Sequence, residues 1–367
     1  MKNIFPLIMS LVMLGILVAA NFYLTRKFGW IFSLEKRGWL HLLFAVLPVF
    51  MIGGMIGFSN TNGLAGTVMY GLATIITGVM LYLVLAFLVV DVVQLIIKLK
   101  PLVYGAVAGT LTALVVLYGL GNAFSTRLTQ KQISIDGLTG EVKIMHLSDI
   151  HLGHFRGVKF LQKLVDMTIK QDPDLIVITG DLFDGRKQLK PETLEPLKQI
   201  GVPVFFVEGN HDGYTGVARV KELLREAGVQ VLENEIVRWG ALQIIGLNHL
   251  RADGDTRSVP PNLTRKSIRG VLSTLEIKRD IPAILLHHSP DGIKYANLHG
   301  IDLFLAGHTH AGQLFPVNLI NDLVFRYNKG IDNYNGTTIF VSRGAGTFGP
   351  PMRVGTYGEI TLLTLTE

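Results

Sequence analysis

The sequence predicts an α/β domain carried behind a four-helix transmembrane region, and three observations lead there. Four apolar runs crowd the first 121 residues. From about residue 122, short β-branched runs alternate with amphipathic stretches of helix length, which is how α/β architecture reads in a sequence. Five of those β-branched runs stop abruptly at Asp, Asn or His.

The apolar runs cover roughly 4–24, 38–58, 67–97 and 102–121. A helix crossing a hydrocarbon core needs about 20 residues, and each run reaches that length. The third is long enough to tilt or to extend past the bilayer. Gly53-Gly54 and the Gly105–Gly109 stretch offer small residues where helices could approach closely. Val18 and Ala20 would permit signal-peptide cleavage before Asn21, but three further spans follow it. Arg26, Lys27, Lys36 and Arg37 lie between the first two runs, and Lys98 and Lys100 between the last two. The Ser59–Ala65 segment has no charge. Under the positive-inside rule the first and third loops face the cytoplasm, so the C-terminal domain is expected outside the cell membrane, although Arg127 and Lys131 follow the fourth run. Asp91, with Lys98 near it in sequence, and His41 read as interfacial polar residues.

Charge separates the two halves and excludes one class of partner. Residues 1–121 hold seven Lys/Arg and two acids, whereas 122–367 hold 27 and 26. The isoelectric point near 9.3 therefore belongs to the membrane half, and no nucleic-acid binding is expected of a nearly neutral domain. With no Cys there is neither a disulfide framework nor a thiolate metal site.

In the C-terminal half, strands are expected at 142–147, 174–179, 202–207, 242–247, 282–287, 301–306, 337–341 and 357–365, with helices at 158–171, 191–199 and 215–227. Residues 1–121 form the membrane region, 122–140 a polar linker with the option of an initial strand, and 141–367 the domain. Val142–Leu147 runs into Ser148-Asp149-Ile150-His151, and Leu175–Thr179 into Gly180-Asp181-Leu182-Phe183-Asp184. Val204–Val207 runs into Glu208-Gly209-Asn210-His211-Asp212, and Ala283–Leu286 into His287-His288-Ser289-Pro290. Leu303–Ala306 runs into Gly307-His308-Thr309-His310. Each fragment alone is an ordinary turn. Together they are one site built where ligands bind in α/β sheets, outside the carboxyl ends of the strands.

These residue types suit a pair of cations. Two ions about 3.5–4 Å apart need a bridging carboxylate and a shell of oxygen and imidazole ligands. Asp181 is the natural bridge. Asp149, His151 and His310 can complete one site, and Asn210, His288 and His308 the other. A water held between the ions loses a proton near neutral pH, and the hydroxide attacks phosphorus in line while the ions neutralise phosphate oxygens. The lack of Cys suits Mn, Fe or Zn.

The ordered set D-x-H, GD-x-x-D, GNHD, H-x-P and GH-x-H, over about 142–365, resembles the calcineurin-like metallophosphoesterases. The run through Gly312 and Gln313 resembles a bacterial branch that usually reads GHTHGGQ, with Ala311 replacing the commoner Gly; Ser342-Arg343-Gly344 and Pro351-x-Arg353 resemble it too. The resemblance implies a four-layer αββα sandwich, the ligands just named and two divalent metal ions. It also implies that His211 acts near the leaving group, with Asp212 orienting it and Asp149 tuning its acidity.

Several assignments stay open at this level. His287 or His288 can be the strand-end ligand, the H-x-Pro spacing favouring His288. Asp184 reads as a loop residue beside the ligands, and His154 and His249 as surface histidines. Arg343 and Arg353 either bind substrate phosphate through their planar forks or pair with acids. The stretch 248–280, with Arg251, Arg257, Arg265, Lys266, Arg269, Lys278 and Arg279, reads as a basic lid suited to an anionic lipid headgroup. Four helices also exceed what an anchor needs. The expectation is a hydrolase for a phosphodiester or pyrophosphate of a lipid-linked substrate, in contact with membrane lipids. Within the resembled family some members cleave the pyrophosphate of UDP-diacylglucosamine; an outward domain favours a lipid-carrier phosphodiester instead. The alternatives are a general phosphatase on soluble phosphoesters and a membrane protein whose domain only binds.

Overall fold

The computed structural model describes residues 5–251 and 266–367. The chain divides into two compact units, one ending at Leu120 and leaving out the turn at 60–62, the other running from Gly121 to Glu367.

The first unit is built from α1 (Phe5–Ile31), α2 (Gly38–Phe58), α3 (Leu64–Ile96) and α4 (Pro101–Ala123). All four are long and apolar enough to cross a membrane. At 1.5 Å per residue α3 is roughly 50 Å long, well beyond a core of about 30 Å. Because α1 runs on to Ile31, Arg26 and Lys27 sit on its last turns rather than in a loop. The glycines divide by role. A Cβ on Gly54 would lie 2.6 Å from that of Ala73, and one on Gly105 would lie 3.0 Å from Ile31, whereas Gly53 and Gly109 have nothing within 4 Å. Asp91 is not partnered by Lys98. It pairs with Lys27 and accepts from Tyr23 Oη and Tyr104 Oη, each at 2.7 Å. His41 Nδ1 lies 2.7 Å from Asn21 Oδ1. Polar groups at this depth are thus met by neighbouring helices, as a low-dielectric surrounding requires.

The second unit holds two six-stranded sheets and a two-stranded pair. In chain order the strands are β1 (Thr126–Ser134), β2 (Val142–Leu147), β3 (Leu152–Gly153), β4 (Leu175–Thr179), β5 (Phe183–Asp184), β6 (Val204–Val207) and β7 (Gln230–Val231). There follow β8 (Glu235–Trp239), β9 (Leu242–Gly246), β10 (Ala283–Leu286), β11 (Leu303–Ala306), β12 (Gly330–Tyr334), β13 (Thr337–Val341) and β14 (Gly358–Thr366). One sheet has the order β1-β14-β2-β4-β6-β7 and the other β12-β13-β11-β10-β9-β8, while β3 pairs with β5. Residues 122–140 are therefore not a plain linker, since 126–134 pair in parallel with 358–366. The expected helix over 191–199 is a single turn at Pro191–Leu194 followed by a 3-10 turn, and that over 215–227 is present as Val217–Glu226, set off by Gly216, φ 122°, from a short helix Asn210–Thr215.

Strand alternation builds four layers. In β2 and β4, Ile144, Leu175 and Val177 turn inward to meet Ile244, Ile284, Leu286 and Phe340 of the other sheet. Their neighbours Met145, Ile176 and Ile178 turn outward onto Leu161, Leu164 and Leu223 of the flanking helices. In the second sheet Ala283, Leu285 and Phe304 face out onto Ile268, Leu272 and Ile293. Both sheets are buried on both faces, which explains why their central strands are continuous apolar runs. Of the basic stretch 248–280, Arg257 and Arg265 lie outside the described residues, Ile268 and Leu272 anchor its far end in the core, and Arg279 donates to Leu298 O at 2.9 Å.

Candidate metal centre

The parallel strands β2, β4, β6, β10 and β11 deliver their carboxyl ends to one place. The turns that follow are unusually tight. Asp149, His151, Asp181, His308 and His310 all have φ between 49° and 74°, the left-handed region that costs a side-chain-bearing residue on the order of 1 kcal/mol. Backbone ties hold them there: Asp149 N donates to Gly180 O and His151 N to Asp181 O, both at 3.0 Å. A Cβ on Gly209 would collide with Asp181, and one on Gly307 with Ser148 and Asp149, so glycine precedes Asn210 and His308 because the ligand carboxylates occupy that space.

The side chains converge in two groups. His310 Nε2 lies 3.0 Å from His151 Nε2 and 3.2 Å from Asp149 Oδ1. His288 Nε2 lies 3.2 Å from His308 Nδ1 and 3.2 Å from Asp181 Oδ2. That same Asp181 oxygen is 3.8 Å from His151 Nε2, so it faces both groups. His288 Nδ1 is 2.7 Å from Thr179 O, which turns Nε2 toward the cluster. His287 is turned elsewhere: Nδ1 lies 2.7 Å from Ser289 O, and Nε2 accepts from Leu250 N.

This donor set fits a pair of cations. Ligand atoms at about 2.1 Å from one ion and at right angles are about 3.0 Å apart, the spacing seen between the imidazole nitrogens. Asn210 Oδ1 and His151 Nδ1 are buried without a hydrogen-bond partner. Burial, then His211 and His310, push His151 down to about 3, and burial lowers His310 against the pull of Asp149, so both are neutral imidazoles able to bind metal. Burial works against ionisation of Asp149 and Asp181, but the surrounding histidines hold both carboxyls well below the usual range. In return Asp181 and Asp149 overcome the burial of His288 and raise it to about 10.

His211 lies at the edge of the cluster, its ring 4.8 Å from His151. The residue that orients it is Asp184, 3.1 Å from Nδ1, and not Asp212. Asp212 Oδ2 accepts from Asp181 N and Gly209 N at 2.8 and 2.9 Å, while Oδ1 accepts from Leu182 N and Phe183 N at 3.0 and 3.1 Å. It staples two ligand turns together, with no oxygen turned to His211. Nor is Asp149 the group that tunes His211: burial lowers that imidazole, and Asp181 and Asp184 outweigh it, raising His211 to about 9.

Two further expectations change. Arg353 is fully buried, and its guanidinium donates to the carbonyls of Arg343, Gly344, Gly346 and Tyr357 at 2.7–3.0 Å, so it has no face for substrate. Arg343 lies over the Tyr357 ring at 4.7 Å, with Nε 3.6 Å from Glu359 Oε2. His249 is half-buried rather than at the surface, its ring 5.8 Å from His288 and stacked at 6.0 Å on His287. His154 is half-buried on the loop after β3. Two aromatic residues went unread in the sequence. Phe348 sits 4.9 Å from His310 and 6.0 Å from His211, and Phe325 sits 5.8 Å edge-on to His308. No motif announced them, since single phenylalanines in loops carry no local signal.

Residues 142–312 match the calcineurin-like phosphoesterase family. An uncharacterized metallophosphoesterase of Aquifex aeolicus is 34% identical, over 61% of this chain and 85% of its own. A transmembrane protein with metallophosphoesterase domain from Danio rerio is 32% identical, over 70% of this chain and 61% of its own. Phosphodiesterase YaeI of Escherichia coli is 29% identical, over 61% and 82%. Against other bacterial relatives the chain spans 64% of the relative's length.

Proposed function

This chain belongs to the calcineurin-like metallophosphoesterase family, and on that premise we propose that its second unit hydrolyses a phosphodiester or pyrophosphate of a lipid-linked substrate at the membrane. The observation that carries the hydrolase reading is the convergence of Asp149, His151, Asp181, His288, His308 and His310 within 4.8 Å inside each ligand group. Asp181 would bridge two divalent ions, and Asn210 would add its orphaned oxygen. Bound there, the ions would supply Lewis acidity toward phosphate oxygens and a nucleophilic oxygen at neutral pH. The chain's own part is positional. Asp184 holds His211 by Nδ1, leaving Nε2 to give a proton to the departing oxygen, and Asp212 fixes the turns that carry Asp181 and Asn210. That YaeI is named a phosphodiesterase supports a diester.

A lipid-linked substrate is supported by helix Val317–Val324, which follows the His308–Gln313 turn. No described side chain of it is buried, and it exposes Val317, Leu319, Ile320 and Leu323, the last at 88%. Its end lines a cavity of about 590 Å³ with Phe325, Arg326 and Lys294, and Phe325 abuts His308. A phosphate at the ligands would leave acyl chains to run along this apolar helix, with cations beside it. The positive-inside pattern supports placing the unit outside the cell.

The test compares the full chain with L319S/L323S on a lipid-linked phosphodiester in mixed micelles and on bis-p-nitrophenyl phosphate. The variant is expected to lose about tenfold in kcat/KM on the lipid and little on the soluble ester. Equal turnover of both substrates, unchanged in the variant, would hand the function to a general phosphatase. Metal-free protein without turnover of either would leave a binding-only domain.

A further inference from the structure

A second concave polar site lies in the helical unit, and the mechanism above makes no use of it. At the end where α1 and α3 finish and α2 and α4 begin, Arg26, Lys27, Trp30, Arg37, Gln94 and Tyr104 line a cavity of about 370 Å³. Helices α1, α3 and α4 contribute, together with Arg37, which immediately precedes α2. Its floor is rigid and neutral on balance: Asp91 is held by Lys27, Tyr23 and Tyr104, and Tyr104 also donates to Phe87 O at 3.1 Å. Gln94 is spent on the backbone of Leu99, accepting from its N at 2.8 Å. The charge left over is therefore that of Arg26 and Arg37, both exposed and neither in an ion pair with a described carboxylate. Arg37 is also placed rather than free, with Nε donating to Leu34 O at 3.2 Å and its guanidinium lying across Gly29, where a Cβ would collide with it. Trp30 presents an amphipathic ring at the rim, 5.1 Å edge-on to Tyr104.

Two guanidinium groups without a described carboxylate partner, over a satisfied floor at the end of an apolar helical bundle, match the phosphate of a headgroup at a bilayer surface. We propose that this cavity binds the phosphate of an anionic lipid headgroup, with Arg26 and Arg37 as its ligands and Trp30 packed against the glycerol region. The site is separate from the metal ligands, and it stands or falls independently of the hydrolase reading. It differs from diffuse positive charge in one respect: it depends on where Arg37 lies, and not only on its being there.

The experiment is native mass spectrometry of the full chain in detergent with added phosphatidylglycerol, against phosphatidylcholine and against inorganic phosphate. Wild type is expected to retain phosphatidylglycerol, with about a fivefold loss of affinity for each charge removed in R26Q and R37Q. K98Q/K100Q, which removes as much charge from the third loop, should change it less than twofold. G29L keeps every charge but displaces Arg37, and it too should lose about fivefold. Circular dichroism and elution volume report whether each variant keeps the helical unit. Equal loss in K98Q/K100Q, or no loss in folded G29L, overturns the site in favour of diffuse attraction. Inorganic phosphate displacing the lipid at equal concentration overturns the lipid as its source.

Discussion

The turns after β2, β4, β6, β10 and β11 and the loop 342–357 after β13 carry similar chemistry to opposite effect. In the first region, like groups crowd one another. Imidazole nitrogens face imidazole nitrogens at 3.0 and 3.2 Å, and the Asn210 oxygen has no partner. In the second the two guanidinium groups are met: Arg353 is surrounded by carbonyl oxygens, and Arg343 lies beside Glu359 and over Tyr357, although the buried Thr356 hydroxyl has no partner. A buried polar group left unsatisfied is costly, so a cluster that tolerates several is arranged for something that arrives. A guanidinium ringed by acceptors, as Arg353 is, has already done its work in the fold. The two regions touch where the Arg353 guanidinium lies 3.3 Å from His310 Nδ1, so a satisfied donor backs a ligand whose Nε2 faces the cluster.

The sharpest way to break this comparison is to remove the bridge. In D181A or N210A the proposed hydrolysis should fall by on the order of 10³ or more, since each ion contributes several kcal/mol to charge stabilisation. Stripping wild type with a chelator should lower its melting temperature, and Mn²⁺ at about 100 times its Kd should restore about 2.7 kcal/mol. D181A should show neither change. Metal-independent activity or a chelator-insensitive melting curve would put the ligand turns in the same class as the Arg353 loop.

Next in size is the opposite experiment. R353A leaves the carbonyls of Arg343, Gly344, Gly346 and Tyr357 without their donor inside the core, at a cost of at least about 4 kcal/mol in urea titration. A stable R353A with impaired phosphate binding would reverse its assignment. D184N is milder. It keeps a hydrogen-bond acceptor for His211 Nδ1 but removes the charge that helps hold the proton, so kcat should fall about tenfold with KM unchanged. D212N, by contrast, turns an acceptor of four amides into a donor and should be read as lost stability.

The same contrast explains what could be read in the sequence. The seven ligand candidates stood out because Asp, His and Asn each followed a strand, and the eight central strands stood out as apolar runs. Beyond the two-residue pair β3 and β5, the strands not expected as such, β7, β8 and β12, and β1, which was only an option within 122–140, are the four edges of the two large sheets. An edge strand buries few side chains and so lacks the apolar run; in β1, Thr126–Ser134, only the first residue and Ile133 are buried. Helix Val317–Val324 was not expected either; at eight residues with no buried side chain, it is short and has no core-facing stripe to mark it. The roles of Asp212, Asp184 and Arg353 could not be read at all. Their partners are backbone groups and a loop carboxylate brought close by the fold, and no spacing in the chain records that.

The smallest predicted effect tests the comparison most finely. Arg343 is partly exposed, so R343A should leave kcat/KM within about twofold and cost about 1 kcal/mol at neutral pH. That cost should depend on pH through Glu359. Burial raises this carboxyl above its ordinary 4.5, and the Arg343 amide and guanidinium pull it partway back. A group that binds its proton more tightly when folded lends stability below its unfolded pKa and loses it as pH rises through the folded one. Removing the guanidinium lifts the folded value further, so R343A should be nearly as stable as wild type below the ordinary carboxylate value and fall behind as pH rises through the wild-type folded value. Urea midpoints at the two ends of that range measure it. A tenfold rise in KM with no such pH dependence would move Arg343 across to the region that waits for a ligand.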